Sequence, residues 1–324
     1  MGFWSFASAS ASRSPDAVGE GATATARPSG DSGDSLAAAL EAGRFGMVAV
    51  ANSPWRDQPG FDKARRTAIA AIDERLAFVP EGFVSLALTV NGEPGGKESD
   101  HSTSGFMLAR HAVTNAEYQR FVDADAYGDY RHWPEDVLPH VVNFKDRTGK
   151  AGPRLWQDGR HDKRLADHPV VGISFVEAQA YAAWIGMRLP TEIEWQMAAS
   201  WRIRSEANVT RRYAWGDSFD LECCNVWHSG HGHTLSVNAC PAGASPNGVL
   251  QLIGNVWEWT ASDFAGFDSE GRTIVGDMLM KSIRGGAFDT YFPWQATSTF
   301  RSGAACLARV HNIGFRCCMD LIDG

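Results

Sequence analysis

Residues 254–260 read Gly254-Asn255-Val256-Trp257-Glu258-Trp259-Thr260. Two tryptophans, a carboxylate and an amide within seven residues fit neither ordinary core nor ordinary surface. Tryptophan is mostly buried, and a glutamate held between two of them needs a partner. Just upstream, Pro246-Asn247-Gly248 signals a turn, and the apolar pairs Val249-Leu250 and Leu252-Ile253 follow. The stretch reads as a turn, a short apolar segment and a carboxylate against aromatic walls. Two partners suit that carboxylate. One is a hard cation such as calcium, shared with nearby backbone carbonyls. The other is an arginine.

Helix starts are well marked on the N-terminal side of this stretch. Thr114-Asn115-Ala116-Glu117, Ser174-Phe175-Val176-Glu177 and Thr191-Glu192-Ile193-Glu194 each fit a capping box, followed by apolar residues on one face. Gly186 is a suitable stop for the second helix. Lys63 to Leu76 carries Ala68, Ile69, Ile72 and Leu76 at helical spacing, and Ser35 to about Gly43 reads as a short Ala-rich helix. Phe78 to Leu86 switches to strand-like alternation around a turn. After Ser200 no long helix is predicted, and Gly, Asn, Asp, Pro and Trp dominate. The chain ends in strand-like pieces at Ser282–Phe288 and Asn312–Cys317. The organisation expected is a disordered low-complexity tail over 1–45, a helical lead-in over 46–77 and one main domain over 78–324.

Composition bounds the function. The chain has 324 residues, 44% of them apolar, enough for a substantial core. A net charge of −8 argues against a general nucleic-acid binder. No apolar run approaches the roughly 20 residues that span a bilayer, and Met1 to Phe6 is a poor secretory signal. A cytoplasmic protein with no nucleic-acid or membrane partner is expected. Six cysteines, Cys223, Cys224, Cys240, Cys306, Cys317 and Cys318, form no CxxC pair. They read as small buried hydrophobes.

Taken in order, the motifs carry a resemblance. They are Val113–Tyr118, His168–Ser174, Arg188–Trp195, Tyr213–Asp217, the 254–260 stretch, Arg284-Gly285-Gly286-Ala287-Phe288 and Asn312-Ile313-Gly314-Phe315-Arg316. Over about residues 78–320 the chain resembles the formylglycine-generating enzyme, or sulfatase-modifying factor, family. The resemblance implies an α+β fold: a single compact, C-type-lectin-like domain with much irregular structure. It implies structural calcium held by Gln251, Gly254, Val256 and Glu258, with Gln251 standing where Asn or Asp is usual. A second calcium site would begin at Asn225 and Val226.

The family's formylglycine synthases hold copper through two cysteines, four and nine residues after the second glycine of the Arg-Gly-Gly motif. Here those positions are Thr290 and Gln295. Neither supplies the soft thiolate that Cu(I) prefers, so copper–cysteine formylglycine synthesis is not expected. A related branch, the sulfoxide synthases of ergothioneine biosynthesis, uses iron on histidines from an added helical bundle, and no histidine precedes His101 in this chain. His228, His231 and His233 form a candidate copper, zinc or iron set.

Two readings remain open. One is oxidative maturation of a protein or small-molecule substrate, with groove candidates Asp289, Thr290, Trp294, Gln295 and Arg301. The other is a non-catalytic, calcium-stabilised binding module, as in the variable proteins of diversity-generating retroelements. It would take a protein or small ligand in a C-terminal groove through Tyr291, Phe292 and Trp294.

Overall fold

A computed structural model describes residues 35–86, 99–200, 211–264 and 279–322, with the short pieces 89–90, 93–94, 266–267 and 273–274. Residues 1–34 of the expected 1–45 tail lie outside them. Helix is already present before residue 46. Helix Leu36–Glu41 starts where the Ser35 side chain accepts a hydrogen bond from the Ala38 amide, and it buries Leu36 and Ala39. The reason is packing: helices Leu36–Glu41, Phe45–Ala49 and Phe61–Arg75 share one apolar cluster centred on Val48, Trp55, Ala68 and Ile72. Met319, from the far end of the chain, joins that cluster, so the lead-in and the main domain are one body.

All three capping boxes form. Thr114 caps helix Asn115–Asp123 and Ser174 caps helix Phe175–Trp184, each reciprocated by its glutamate. At helix Glu192–Ser200 the Glu194 carboxylate accepts from the Thr191 amide at 2.8 Å, and the Glu194 amide donates to the Thr191 hydroxyl at 3.2 Å. The first two helices bury their apolar faces in one aromatic cluster. Tyr118 stacks on Tyr181 with centroids 5.2 Å apart, and Phe121 meets Trp184 edge-on at 5.5 Å.

Among the described residues two larger sheets complete the fold, beside three two-stranded ones, among them Gly82–Leu86 paired with Ser99–Thr103. Strand Phe106–Ala109 lies between Leu76–Val79 and Cys318–Asp320, antiparallel to both. The second sheet runs Arg301–Ala305, Met280–Arg284, Trp257–Asp263, Ile313–Gly314; its last pairing is parallel and the others antiparallel. Between Arg211 and Val256 the only regular elements among the described residues are single 3-10 turns, such as Trp227–Ser229. That bears out the irregular second half. Cys223, Cys224, Cys317 and Cys318 are buried free thiols, while Cys240 and Cys306 are half-buried. Burial pushes the Cys224 thiol up to about 12, which suits packing rather than reactivity. Among the described residues no helix is long and apolar enough to cross a membrane.

Gly186 shows how tightly the lead-in is seated. Its φ is 77°, a left-handed helix stop, and a Cβ there would meet the Met47 backbone nitrogen at 2.2 Å. Gly186→Ala therefore forces the Phe45–Ala49 helix off the domain. The expected outcome is faster limited proteolysis between residues 36 and 60 while the remainder stays protected.

Candidate functional site

The 254–260 stretch is accounted for residue by residue. Gly254 has φ 83°, and a Cβ would strike the Asn225 carbonyl oxygen at 2.6 Å. Asn255 is an amide clasp. Its Oδ1 accepts from the Leu235 amide at 2.8 Å and from Asn225 Nδ2 at 3.0 Å; its Nδ2 donates to Gln251 Oε1 at 2.7 Å and to the Leu235 carbonyl at 3.1 Å. Trp257 opens the strand, and Trp259 is fully buried against Phe175.

Glu258 has an arginine for its partner. Arg316 donates Nε to Oε2 and Nη2 to Oε1, both at 2.7 Å, a bidentate fork, and Trp195 Nε1 adds a third bond at 2.8 Å. Both charged side chains are essentially inaccessible, at 0% and 1%. The rest of the Arg316 fork donates to the carbonyls of Ala109, Arg110 and Leu250. A buried pair survives when such extra bonds satisfy its remaining atoms.

This arrangement bears on calcium. The cation would need Gln251 Oε1, the Gly254 and Val256 carbonyls and Glu258, with six to eight oxygens in all. Gln251 Oε1 already accepts from Asn255, while its Nε2 donates to the carbonyls of Ser236 and Ala239. The Gly254 carbonyl accepts from the Val256 amide at 2.9 Å, and the Glu258 charge is matched by Arg316. The set as arranged does not fit calcium. At the second candidate site Asn225 Oδ1 is buried and has no hydrogen-bond partner, a single open acceptor. Val226 donates its amide to the Ser229 hydroxyl, and its carbonyl accepts from the Ser229 amide at 2.9 Å.

The three loop histidines do not converge. His228 lies 5.5 Å from the Tyr291 ring, whereas His231 and His233 face each other at 6.5 Å. Among the described residues no group of three or more His, Cys, Asp or Glu side chains is gathered to hold a metal. The donors present fit none of copper, zinc and iron.

The groove residues divide into structural and exposed. Thr290 is buried, and its hydroxyl accepts from the Ala287 amide at 2.8 Å, closing the turn after Gly286. Gln295 ends the 3-10 turn Pro293–Gln295 and is half-buried. Arg301 is structural, forking onto Glu192 at 2.9 and 2.6 Å. Glu192 also accepts from Ser282 and faces Arg284. Burial pulls the Arg284 guanidinium down to about 10, with Glu192 opposing the shift.

Tyr291, Phe292 and Trp294 are exposed and continuous. Ring contacts run from Trp227 to Tyr291 at 6.1 Å, then to Phe292 at 5.2 Å, Trp294 at 5.7 Å and Phe300 at 5.2 Å, and end at Trp257 at 6.0 Å. Trp227, Tyr291 and Phe292 are each at least half exposed, at 54%, 55% and 50%. Two residues before Tyr291, Asp289 forms a pair that sequence reasoning missed. His311 Nε2 lies 3.1 Å from Asp289 Oδ2, and Asn312 Nδ2 donates to both Asp289 oxygens at 3.0 and 3.1 Å. His311 remains 61% exposed. The signal available was its position directly before the Asn312–Arg316 motif. The carboxylate fixes one ring nitrogen and leaves the other free for a ligand or a proton.

Comparison with known proteins agrees with the fold. The family model described as sulfatase-modifying factor enzyme 1-like domain matches residues 66–321. The hercynine oxygenase of Mycobacterium tuberculosis is 39% identical over 168 residues, covering 48% of this chain and 37% of that protein. The chain spans between 35% and 44% of the length of the hercynine oxygenases it matches. The inactive C-alpha-formylglycine-generating enzyme 2 of Bos taurus is 34% identical over 245 residues, covering 65% of this chain and 76% of that protein. The structure of PvdO from Pseudomonas aeruginosa superposes with a TM-score of 0.50 at 21% identity, covering 76% of this chain and 94% of that one.

Two outcomes follow from the buried pair. Glu258→Gln strands the Arg316 charge and loses about 3–5 kcal/mol in urea unfolding, whereas Glu258→Met made in an Arg316→Met background costs far less. Exhaustive chelation leaves the melting temperature unchanged, because Gln251 Oε1 and the Glu258 carboxylate are already engaged by Asn255 and Arg316; a resident structural calcium would make it fall.

Proposed function

The chain belongs to the sulfatase-modifying factor enzyme 1-like family, and from that premise we propose that it takes part in oxidative modification of a small molecule bound in the groove around Tyr291. The observation that carries this reading is the exposed aromatic ridge of Tyr291, Phe292 and Trp294, with the Asp289–His311 pair formed by the residue two positions before Tyr291. The resemblance to hercynine oxygenases favours a small-molecule substrate. Thr290 is a buried turn-closing hydroxyl where a copper-binding thiolate would stand, which argues against formylglycine synthesis here.

The chain's own residues supply binding and proton handling. Tyr291, Phe292 and Trp294 offer flat faces that exclude water from one side of an aromatic or cationic ligand. Asp289, held by Asn312, orients the His311 imidazole so that its second nitrogen can accept or donate a proton at the ligand. The redox step needs a centre that the donors described above do not form.

A second reading keeps the groove and drops the reaction. The resemblance to an inactive formylglycine-generating enzyme supports it, as does the lack of a gathered metal set among the described residues. In that case the same aromatic ridge binds a small ligand or protein segment without turnover.

Hercynine is the probe of choice, followed by tryptophan fluorescence and by oxygen uptake. The expected result is saturable quenching, weakened about tenfold by Trp294→Ala, with oxygen uptake abolished by His311→Ala. Quenching without uptake favours the binding module. Neither quenching nor uptake, with the folded state intact by circular dichroism, overturns both readings for this substrate.

A further inference from the structure

A second concave surface lies away from the aromatic ridge. It is a cleft of about 560 Å³, and its lining includes Lys145, Asp146, Arg147, Arg154 and Arg309. None of the groove residues lines it. Four cations face one carboxylate in a chain whose overall charge is −8. Concave walls of one charge focus field lines onto a counter-ion.

The local fold explains why Lys145, Arg147 and Arg154 are not neutralised by the cleft's own carboxylate. Asp146 begins a tight turn, with its amide bonded to the Lys150 carbonyl at 2.7 Å. Its carboxylate is turned inward. Oδ1 accepts from the Thr148 amide and hydroxyl and from the Lys150 amide, and Oδ2 accepts from the Gly159 amide at 2.7 Å. Burial raises its pKa, but these bonds outweigh that and hold it below the usual carboxylate value. The only carboxylate of the cleft is thus committed to backbone amides. Arg309 braces the turn from behind, donating to the carbonyls of Lys145 and Gly152 and pairing with the buried Glu177. Lys145 and Arg147 have no ion-pair partner among the described residues, and the Arg154 side chain makes a long 3.3 Å contact to the Arg309 carbonyl.

We propose that this cleft is an anion site for a phosphate group carried by a small molecule. Two guanidinium forks can each grip a phosphate in bidentate fashion, and the Lys145 ammonium adds a point charge. Arg309 is the fixed wall, because its charge already answers Glu177. The volume lies within the range of small-ligand pockets, and the cluster is too small for a nucleic-acid track.

Inorganic pyrophosphate tests the site by calorimetric titration of the full chain at constant ionic strength, with citrate and sodium chloride as comparison titrants. Saturable binding of pyrophosphate is expected, weakened at least about tenfold in Arg147→Gln/Arg154→Gln and further when Lys145→Gln is added. These side chains are exposed, so the variants should keep their melting temperature; the single Arg147→Gln is the milder arm if the double variant does not. Citrate binding as tightly as pyrophosphate, equal affinity in the variants, or heats reproduced by sodium chloride would each overturn the proposal.

Discussion

The bidentate bond between Arg316 and Glu258 holds this molecule together. Glu258 lies on the central strand of one sheet, where it pairs with Arg284 on one side and Gly314 on the other. Arg316 reaches across to the carbonyls of Ala109 and Arg110, at the end of the other sheet's middle strand. Trp195 brings helix Glu192–Ser200 to the same carboxylate. Two sheets and a helix therefore meet at one desolvated ion pair. Its strength comes less from the charges than from the completeness of their hydrogen bonding, since a buried pair with unmet atoms would be a net cost.

The same device recurs at lower burial. Each capping-box glutamate also binds an arginine from a distant segment: Glu117 meets Arg75, Glu177 meets Arg309 and Glu194 meets Arg188. The carboxylate at a helix N-terminus satisfies free amides and interacts favourably with the helix dipole. Adding an arginine turns a local cap into a tertiary tie. One tie anchors the lead-in, one braces the Lys145 turn and one fixes the C-terminal strand beside Cys318. A fold with so little regular structure needs such side-chain ties, because long loops supply few backbone ladders.

The elements with local signatures were legible in the sequence. The capping boxes, the Phe61–Arg75 helix, the opening strands and the irregular second half all follow from spacing and turn chemistry. Partner choice was less legible. Glu258 admitted either a cation or an arginine, and Arg316 lies far along the chain. The Gln251 side chain looked like a ligand, yet it is consumed by Asn255, Ser236 and Ala239. Arg301 was expected in the groove and instead answers Glu192 beneath it. His311 was passed over because a lone exposed histidine carries no pattern until Asp289 is placed beside it.

By itself, then, the sequence determined the family, the α+β architecture and the loss of thiolates at positions 290 and 295. These are matters of residue identity and short-range spacing, which a linear chain displays openly. Only the tertiary structure decided that the 251–258 loop closes on its own amides and on an arginine, and that His311 is brought against Asp289. It also decided that three unpaired cations share a cleft. Those are contacts between segments many tens of residues apart, and which acceptor meets which donor is set by the packing that excludes water from them.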